Sequence, residues 1–311
     1  MKPIKIGTRG SKLALYQAHY VAELLAQRQI KSEIVIIDTK GDQIMDVAIS
    51  KIGSKGVFTE ELEIQLEKGV IDIAVHSAKD MQSTLPEGFE LIAFTAREKT
   101  NDVIVSHHGS VNLADTAKPL VLGTSSTRRV ATLKHYYPHV MTTEIRGNLQ
   151  TRIAKMEAGV CDGLVLAYAG VHRMGYDSLI KQTLSLDEFT PAVGQGSIAV
   201  EAYQGLGHTF RHQITQAVHN AETGFCLQAE RSYLRVLDGG CSIPIFALAN
   251  YTDNQIHLNG GIVDLDGTRR IHKQVIGPPE SAESLGKELA NLVLDAGGGE
   301  ILTSIKQQLN K

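Results

Sequence analysis

The chain has 311 residues, 42% of them hydrophobic, with 31 Lys and Arg against 34 Asp and Glu. A net charge of −3 excludes a general attraction to nucleic acid, no apolar run approaches the length of a membrane span, and MKPIKIGTRGSK holds no apolar run of signal-peptide type. Three irregularly spaced cysteines, Cys161, Cys226 and Cys241, argue against a disulfide framework and fit a reducing cytosol. In chain order, strands are predicted over Ile4–Gly7, Glu33–Asp38 and Asp72–Val75, with helices over Leu13–Gln27 and Thr59–Lys68. Gly69 stops the second helix, and Glu60 and Glu61 sit favourably in its first turn. The rhythm resumes with strands over Asp102–Ser106, Leu120–Gly123, Met141–Ile145 and Gly163–Leu166, and helices near 127–136 and 149–158.

This alternation predicts two α/β lobes with largely parallel sheets and a cleft between them, joined near Arg97–Thr100 and Pro191–Gly196. A helical run, Ala221–Leu237, then leads to Asp238-Gly239-Gly240. Beyond it the pattern changes to an antiparallel meander over Ile245–Tyr251, Gln255–Asp264 and Arg269–Val275, with turn signals at Asp253-Asn254 and Asp266-Gly267. Helices near 281–295 and 300–309 close a small α+β domain. The expected partition is 1–97 with 196–215, then 98–195, then 216–311. No internal repeat is evident. Thr39–Phe58 carries three glycines, lysines and weak periodicity, and reads as a long mobile loop, of the kind that is either a functional lid or disordered.

Cys241 is the most informative residue. In ERSYLRVLDGGCSIP a helix delivers a single thiol to a tight Gly-Gly loop closed by Pro244, a setting suited to an attached group or a nucleophile, or to a helix stop followed by a packed cysteine. Arginines fall after predicted strands: Arg9 in TRGS, Arg128 and Arg129 after GTSST, Arg146 and Arg152 in RGNLQTR, and Arg173. With the N–H groups of the helix starting near Thr127 and the hydroxyls of Thr124, Ser125 and Ser126, they form an anion site, or else ordinary surface arginines beside helix caps. No Walker loop and no GxGxxG follows a strand, so carboxylate is a better ligand than nucleotide phosphate. In HSAKD, Asp80 at a strand end beside Lys79 is a candidate acid/base or cation-stabilising carboxylate, or a turn residue. His76 reads as a packed strand histidine, and Cys161 and Cys226 as packed thiols. No histidine or cysteine spacing suits a metal.

The motifs KGVFTEELE, HSAKD, GTSSTRR, RGNLQTR, DGLVLAYAG, PAVGQG and ERSYLRVLDGGCSIP, in this order over nearly the whole chain, resemble the porphobilinogen deaminase (hydroxymethylbilane synthase) family. The resemblance implies two lobes of periplasmic-binding-protein type plus the α+β domain. It implies one dipyrromethane cofactor per chain, held as a thioether on Cys241, and porphobilinogen as the small-molecule substrate. Asp80 would be catalytic. Lys79, Ser125, Ser126, Arg128, Arg129 and Arg152 would hold the cofactor; Arg9, Ser11, Arg146, Arg173, Gln195 and Phe58 would meet substrate; Lys51 and Lys55 would ride on a lid. A cytoplasmic monomer that uses neither metal, membrane nor nucleic acid is expected. Adjacent Arg128 and Arg129 are not expected to point the same way from a regular helix, so one would partly serve an internal ion pair. Met81-Gln82 replaces the family's usual proline after the Asp, so the following loop is expected to take a different path. A two-lobed anion-binding protein and a cysteine hydrolase remain alternatives. The first leaves Cys241 and Asp80 without a task, and the second lacks an assignable base.

Overall fold

A computed structural model describes residues 2–39, 59–109, 111–240 and 242–309. Cys241 and the loop residues Lys51, Lys55 and Phe58 lie outside the described residues. The chain divides into two compact units, residues 1–98 with 194–225, and residues 99–193 with 226–311.

The first unit is built on a five-stranded sheet in the order β2-β1-β3-β10-β4, from β1 (Ile4–Thr8), β2 (Ser32–Ile36), β3 (Ile73–Ser77), β4 (Phe89–Phe94) and β10 (Ile198–Tyr203). Helices α1 (Lys12–Gln27) and α6 (His208–Val218) bury Ala18, Val21, Leu25, Ile214 and Val218 on one face, against Ile4, Ile6, Ile73, Val75 and Val200. Helix α2 (Glu60–Glu67) covers the other face with Leu62 and Leu66 against Ile71 and Ala74. Alternate strand residues therefore face opposite cores, as expected for a sheet covered on both sides.

The second unit repeats this plan. Its first sheet runs β7-β6-β8-β5-β9, from β5 (Asp102–Val105), β6 (Val121–Gly123), β7 (Met141–Thr143), β8 (Gly163–Ala167) and β9 (Ile180–Thr183). Helices α3 (Thr127–Tyr136) and α4 (Leu149–Glu157) follow β6 and β7, and a short α5 (Tyr168–Arg173) follows β8. The sheets are largely parallel, as expected, with four of the five strands in each running the same way. In each sheet one strand runs against its neighbours: β10 is antiparallel to β3 and β4, and β5 to β8 and β9. These two strands lie next to the junctions at 98/99 and 193/194.

The absence of an internal repeat is corrected. Gly69-Val70-Ile71-Asp72 and Gly159-Val160-Cys161-Asp162 make the same corner. In each, a glycine at positive φ (66° and 82°) ends the preceding helix. The aspartate carboxylate then accepts an N–H of the neighbouring strand, from Lys5 to Asp72 and from Val121 to Asp162, both at 2.7 Å. Gly7 and Gly123 stand in matching places: a Cβ on Gly7 would strike Ile71, and one on Gly123 would strike Cys161 Sγ at 2.9 Å. The repeat is legible only in GT…S and GVxD, because most other paired positions need only be apolar.

The remaining sheet is the antiparallel meander β11 (Ile245–Thr252), β12 (Gln255–Val263), β13 (Arg270–Gly277). Asp253 and Asn254 both take positive φ in its two-residue hairpin (53° and 60°). Helix α7 (Ala221–Val236) buries Tyr233, whose hydroxyl donates to the Gly261 carbonyl at 2.9 Å. Helix α8 (Ala282–Val293) packs on the sheet through Leu285 and Leu289, the latter over Gly260, and α9 (Gly299–Leu309) ends the described chain.

Candidate functional site

In the first unit the strand ends β1 and β3 converge on a small pocket. Its lining includes Arg9, Ser11, Gln17, Thr59, His76, Ser77 and Asp80. Ser11 caps α1, its Oγ accepting the Ala14 N–H at 3.3 Å. A helix N-terminus of this kind suits an anion. Asp80 ends a 3₁₀ turn, Ala78–Asp80, that directly continues β3. The turn is held from several sides. Ala78 N–H donates to the Ser197 carbonyl at 3.0 Å, and Met81 is buried beneath. Gly194 (φ +76°) passes so close that a Cβ there would lie 2.9 Å from the Ala78 carbonyl carbon. Gly196 (φ +92°) has equally little room against the Glu98 carbonyl. PAVGQG is thus a backbone clamp on the turn that carries Asp80. Between these glycines Gln195 is 1% exposed, and its carbonyl accepts from Arg97 Nε at 2.9 Å. Gln82 reaches back to Thr59 Oγ1 (3.3 Å) and Glu63 Oε1 (3.5 Å), tying the segment after Asp80 to α2 without a proline.

In the second unit, Ser126 caps α3 and Asn148 caps α4, each accepting an N–H from the first turn. Ser125 donates its proton to the Ile145 carbonyl, so it offers a ligand only lone pairs. Arg146 lies against Glu144, and Arg152 Nε donates to the Gly147 carbonyl at 2.8 Å. The loops after β6 and β7 are therefore knit together around two helix N-termini. Arg128 and Arg129 behave otherwise. Both are buried, and both reach Asp102, Arg128 to Oδ2 at 2.8 Å and Arg129 to Oδ1 at 2.7 Å. Their other terminal nitrogens donate to the Thr190 and Val165 carbonyls, each at 2.9 Å. Burial draws the Arg128 guanidinium below its ordinary value, and Asp102 opposes the shift. The expectation that only one of the pair would serve an internal ion pair is corrected. A carboxylate has two oxygens, and two long side chains at a helix start can take one each.

The strand-end rule holds for Arg9 but not for every arginine. Arg152 sits within α4, and Arg173 ends α5, one helix beyond β8. Cys161 and Cys226 are both buried, as read from the sequence. The approach to Cys241 differs in one respect from that reading: Asp238 takes the positive φ (47°), while Gly239 is needed because a Cβ would strike Leu234 and Ile245. Sequence reasoning missed Gln17, whose Nε2 donates to Ser77 Oγ at 2.8 Å, and Glu201, wholly buried on β10 with Oε2 3.1 Å from His76 Nε2. A lone glutamate inside the apolar run IAVEAY was the available signal. Among the described residues no cluster of histidine, cysteine or acidic side chains could hold a metal, and no helix is long and apolar enough to cross a membrane.

Each of the two units carries a five-stranded α/β sheet with capped helix N-termini after its strands, and a three-stranded antiparallel sheet with helices completes an α/β protein with an added α+β part. The chain belongs to the porphobilinogen deaminase family: residues 4–209 match the model described as porphobilinogen deaminase, dipyromethane cofactor binding domain, and residues 224–295 match that of its C-terminal domain. It is 53% identical over 310 residues to the porphobilinogen deaminase of Cytophaga hutchinsonii, covering 100% of this chain and 99% of that one. It is 52% identical to that of Desulfosudis oleivorans, covering 98% of each. Among solved structures, the periplasmic VFT2 domain of Bordetella pertussis BvgS aligns at 16% identity with a TM-score of 0.43, over 69% of this chain and 86% of that one. A periplasmic substrate-binding protein from Coxiella burnetii aligns at 11% identity with a TM-score of 0.42, over 70% and 92%.

The donor set fits the family's dipyrromethane, whose pyrroles carry acetate and propionate groups. Capped helix ends and guanidinium groups are the partners carboxylates require.

Proposed function

We infer that this chain is a transferase that condenses four porphobilinogen molecules into the linear tetrapyrrole hydroxymethylbilane. The carrying observation is the placement of Asp80 on a clamped turn, in one pocket with Arg9 and Ser11, in a chain that belongs to this family along nearly its whole length. Porphobilinogen brings two carboxylates and an aminomethyl group. Losing ammonia leaves an electrophilic methylene on a pyrrole whose nitrogen shares positive charge. A free pyrrole α-carbon attacks that methylene, and loss of the α-proton restores aromaticity. The bound dipyrromethane supplies the first such α-carbon.

Asp80 faces the pyrrole N–H and stabilises the cation, and it moves a proton at the departing nitrogen and at the α-carbon. Arg9 and the capped start of α1 bind substrate carboxylates, with Arg146 and Arg173 serving the lengthening chain. Arg152, Lys79, Ser126 and the N-terminus of α3 hold cofactor carboxylates. Arg128, Arg129 and Ser125 support that surface from beneath, and Gln195 supports the Asp80 turn. Cys241 bears the thioether. The chain acts as a cytoplasmic monomer of three domains: 1–97 with 196–215, 98–195, and 216–311.

Intact mass of the purified protein tests this reading. A dipyrrole-sized adduct is expected, absent in Cys241→Ser because a hydroxyl is the poorer nucleophile. An unmodified parent, or an adduct that moves to Cys161 or Cys226, overturns it. The first result would favour a plain anion-binding protein.

A further inference from the structure

Beneath the Asp80 pocket lies a group of acid and base side chains that the chemistry above does not use. His76 on β3 is 5% exposed at its side chain, and its Nε2 lies 3.1 Å from Oε2 of Glu201, which is wholly buried. Oε1 of Glu201 has no hydrogen-bond partner among the described residues. Glu63 on α2 is also buried and lies within electrostatic reach of both His76 and Glu201. Its carboxyl is pushed up chiefly by burial, with the Glu201 charge adding to this, while Thr59 and His76 pull it down.

A carboxylate shut away from water with one neutral partner is costly, and a cation at that partner is the cheapest relief available. His76 is the only member of the trio that also lines the pocket. The charged groups around it are Glu201 from β10, Glu63 from α2, Arg9 from the loop after β1, and Asp80 from its own chain direction. The other pocket neighbours, Ser11, Gln17, Thr59 and Ser77, are neutral.

We propose that Glu201 holds His76 as an imidazolium, and that His76 is a positioning residue whose charge, together with Arg9, keeps Asp80 ionised at its working pH. This rests on the reading of Asp80 given above. The buried glutamate fixes the ring and the charge, and the ring delivers that charge to the pocket wall. Asp80 then begins each cycle able to accept the α-proton and to face a cationic pyrrole, although it is itself open to solvent.

The test uses the cofactor-loaded enzyme with His76→Gln, Glu201→Gln and the double variant, each checked by intact mass and circular dichroism. The acidic limb of the kcat/KM profile is expected to move up by about half to one pH unit in each. The double variant should shift no further than either single one, because both substitutions remove the same charge. An acidic limb unchanged in the folded, loaded Glu201→Gln protein overturns the proposal, as does a double variant whose shift is the sum of the two. The imidazole ¹⁵N resonances of the parent holoenzyme give an answer that needs no variant to fold: a neutral His76 ring at pH 7 overturns it. A parent without turnover on porphobilinogen would instead count against the reading of function, and the ring's charge would still be read.

Discussion

Asp80 and the two buried arginines show how differently charged residues can be employed within one chain. Asp80 is exposed at the end of a turn fixed by Ser197, Met81 and Gly194, so its carboxylate is presented rather than packed. Asp80→Asn keeps shape and hydrogen-bond reach but removes the charge. Turnover is expected to fall by about 10²–10³-fold, the usual effect of deleting a preorganised group opposite developing charge, with the covalent adduct and the melting temperature retained. Steady-state rates within a few-fold of the parent would reduce Asp80 to a turn residue. The sequence pointed to Asp80 because a strand end in an α/β fold is where ligands bind, although a turn aspartate would read the same. It pointed less well to Arg128 and Arg129, because a double arginine at a helix start reads the same whether it faces a ligand or an internal aspartate. Asp102, the partner that decides, is 26 and 27 residues away and first in its strand.

At the scale of elements, helix α2 joins local propensity to an electrostatic compromise. Glu60, Glu61 and Glu63 occupy its first turn, where negative charge suits the helix dipole, yet Glu63 points inward beside His76 and Glu201. Its folded-state carboxyl is raised above the ordinary value of 4.5. A raised acid binds its proton more tightly in the fold than in the unfolded chain. Its stabilising contribution is therefore full below 4.5 and is lost as pH rises above it. Glu63→Gln removes that loss while keeping an acceptor for Gln82. The variant should match the parent in thermal stability near pH 4 and exceed it at pH 7.5. A gain of equal size at both pH values would mean that packing, not charge, is at issue. Elements of this kind were legible from the 3.6-residue pattern, and the meander from its period of two and its Asp-Asn and Asp-Gly turns. β4, β9 and β10 were not, since Phe89–Phe94 and Ile180–Thr183 lack alternation strong enough to separate strand from loop. The antiparallel course of β5 and β10 depends on chain return, which no local pattern encodes.

For the whole molecule, the repeated sheet plan means that each unit's stability rests on its own core and on the few polar contacts buried within it. The second unit stakes much on one carboxylate: Asp102 is fully buried and takes both Arg128 and Arg129. Arg128→Leu fills similar volume with apolar atoms, leaving Asp102 without one guanidinium and the Thr190 carbonyl without its donor. Breaking one side of a buried ion pair commonly costs about 3–5 kcal/mol. Since β5, β6 and β8 share the core around Ile104, Leu122 and Val165, the loss should spread through that sheet. Hydrogen exchange of Arg128→Leu should show amides of β5 and β8 losing protection by several orders of magnitude, while those of β1, β3 and the α1 helix keep theirs. The double variant Asp102→Asn/Arg128→Leu should recover part of the protection, because the uncompensated charge goes with its partner. Were Arg128 instead held mainly by a ligand's carboxylates, Arg128→Leu would lose covalent adduct with protection in β5 unchanged, and the second substitution would rescue nothing.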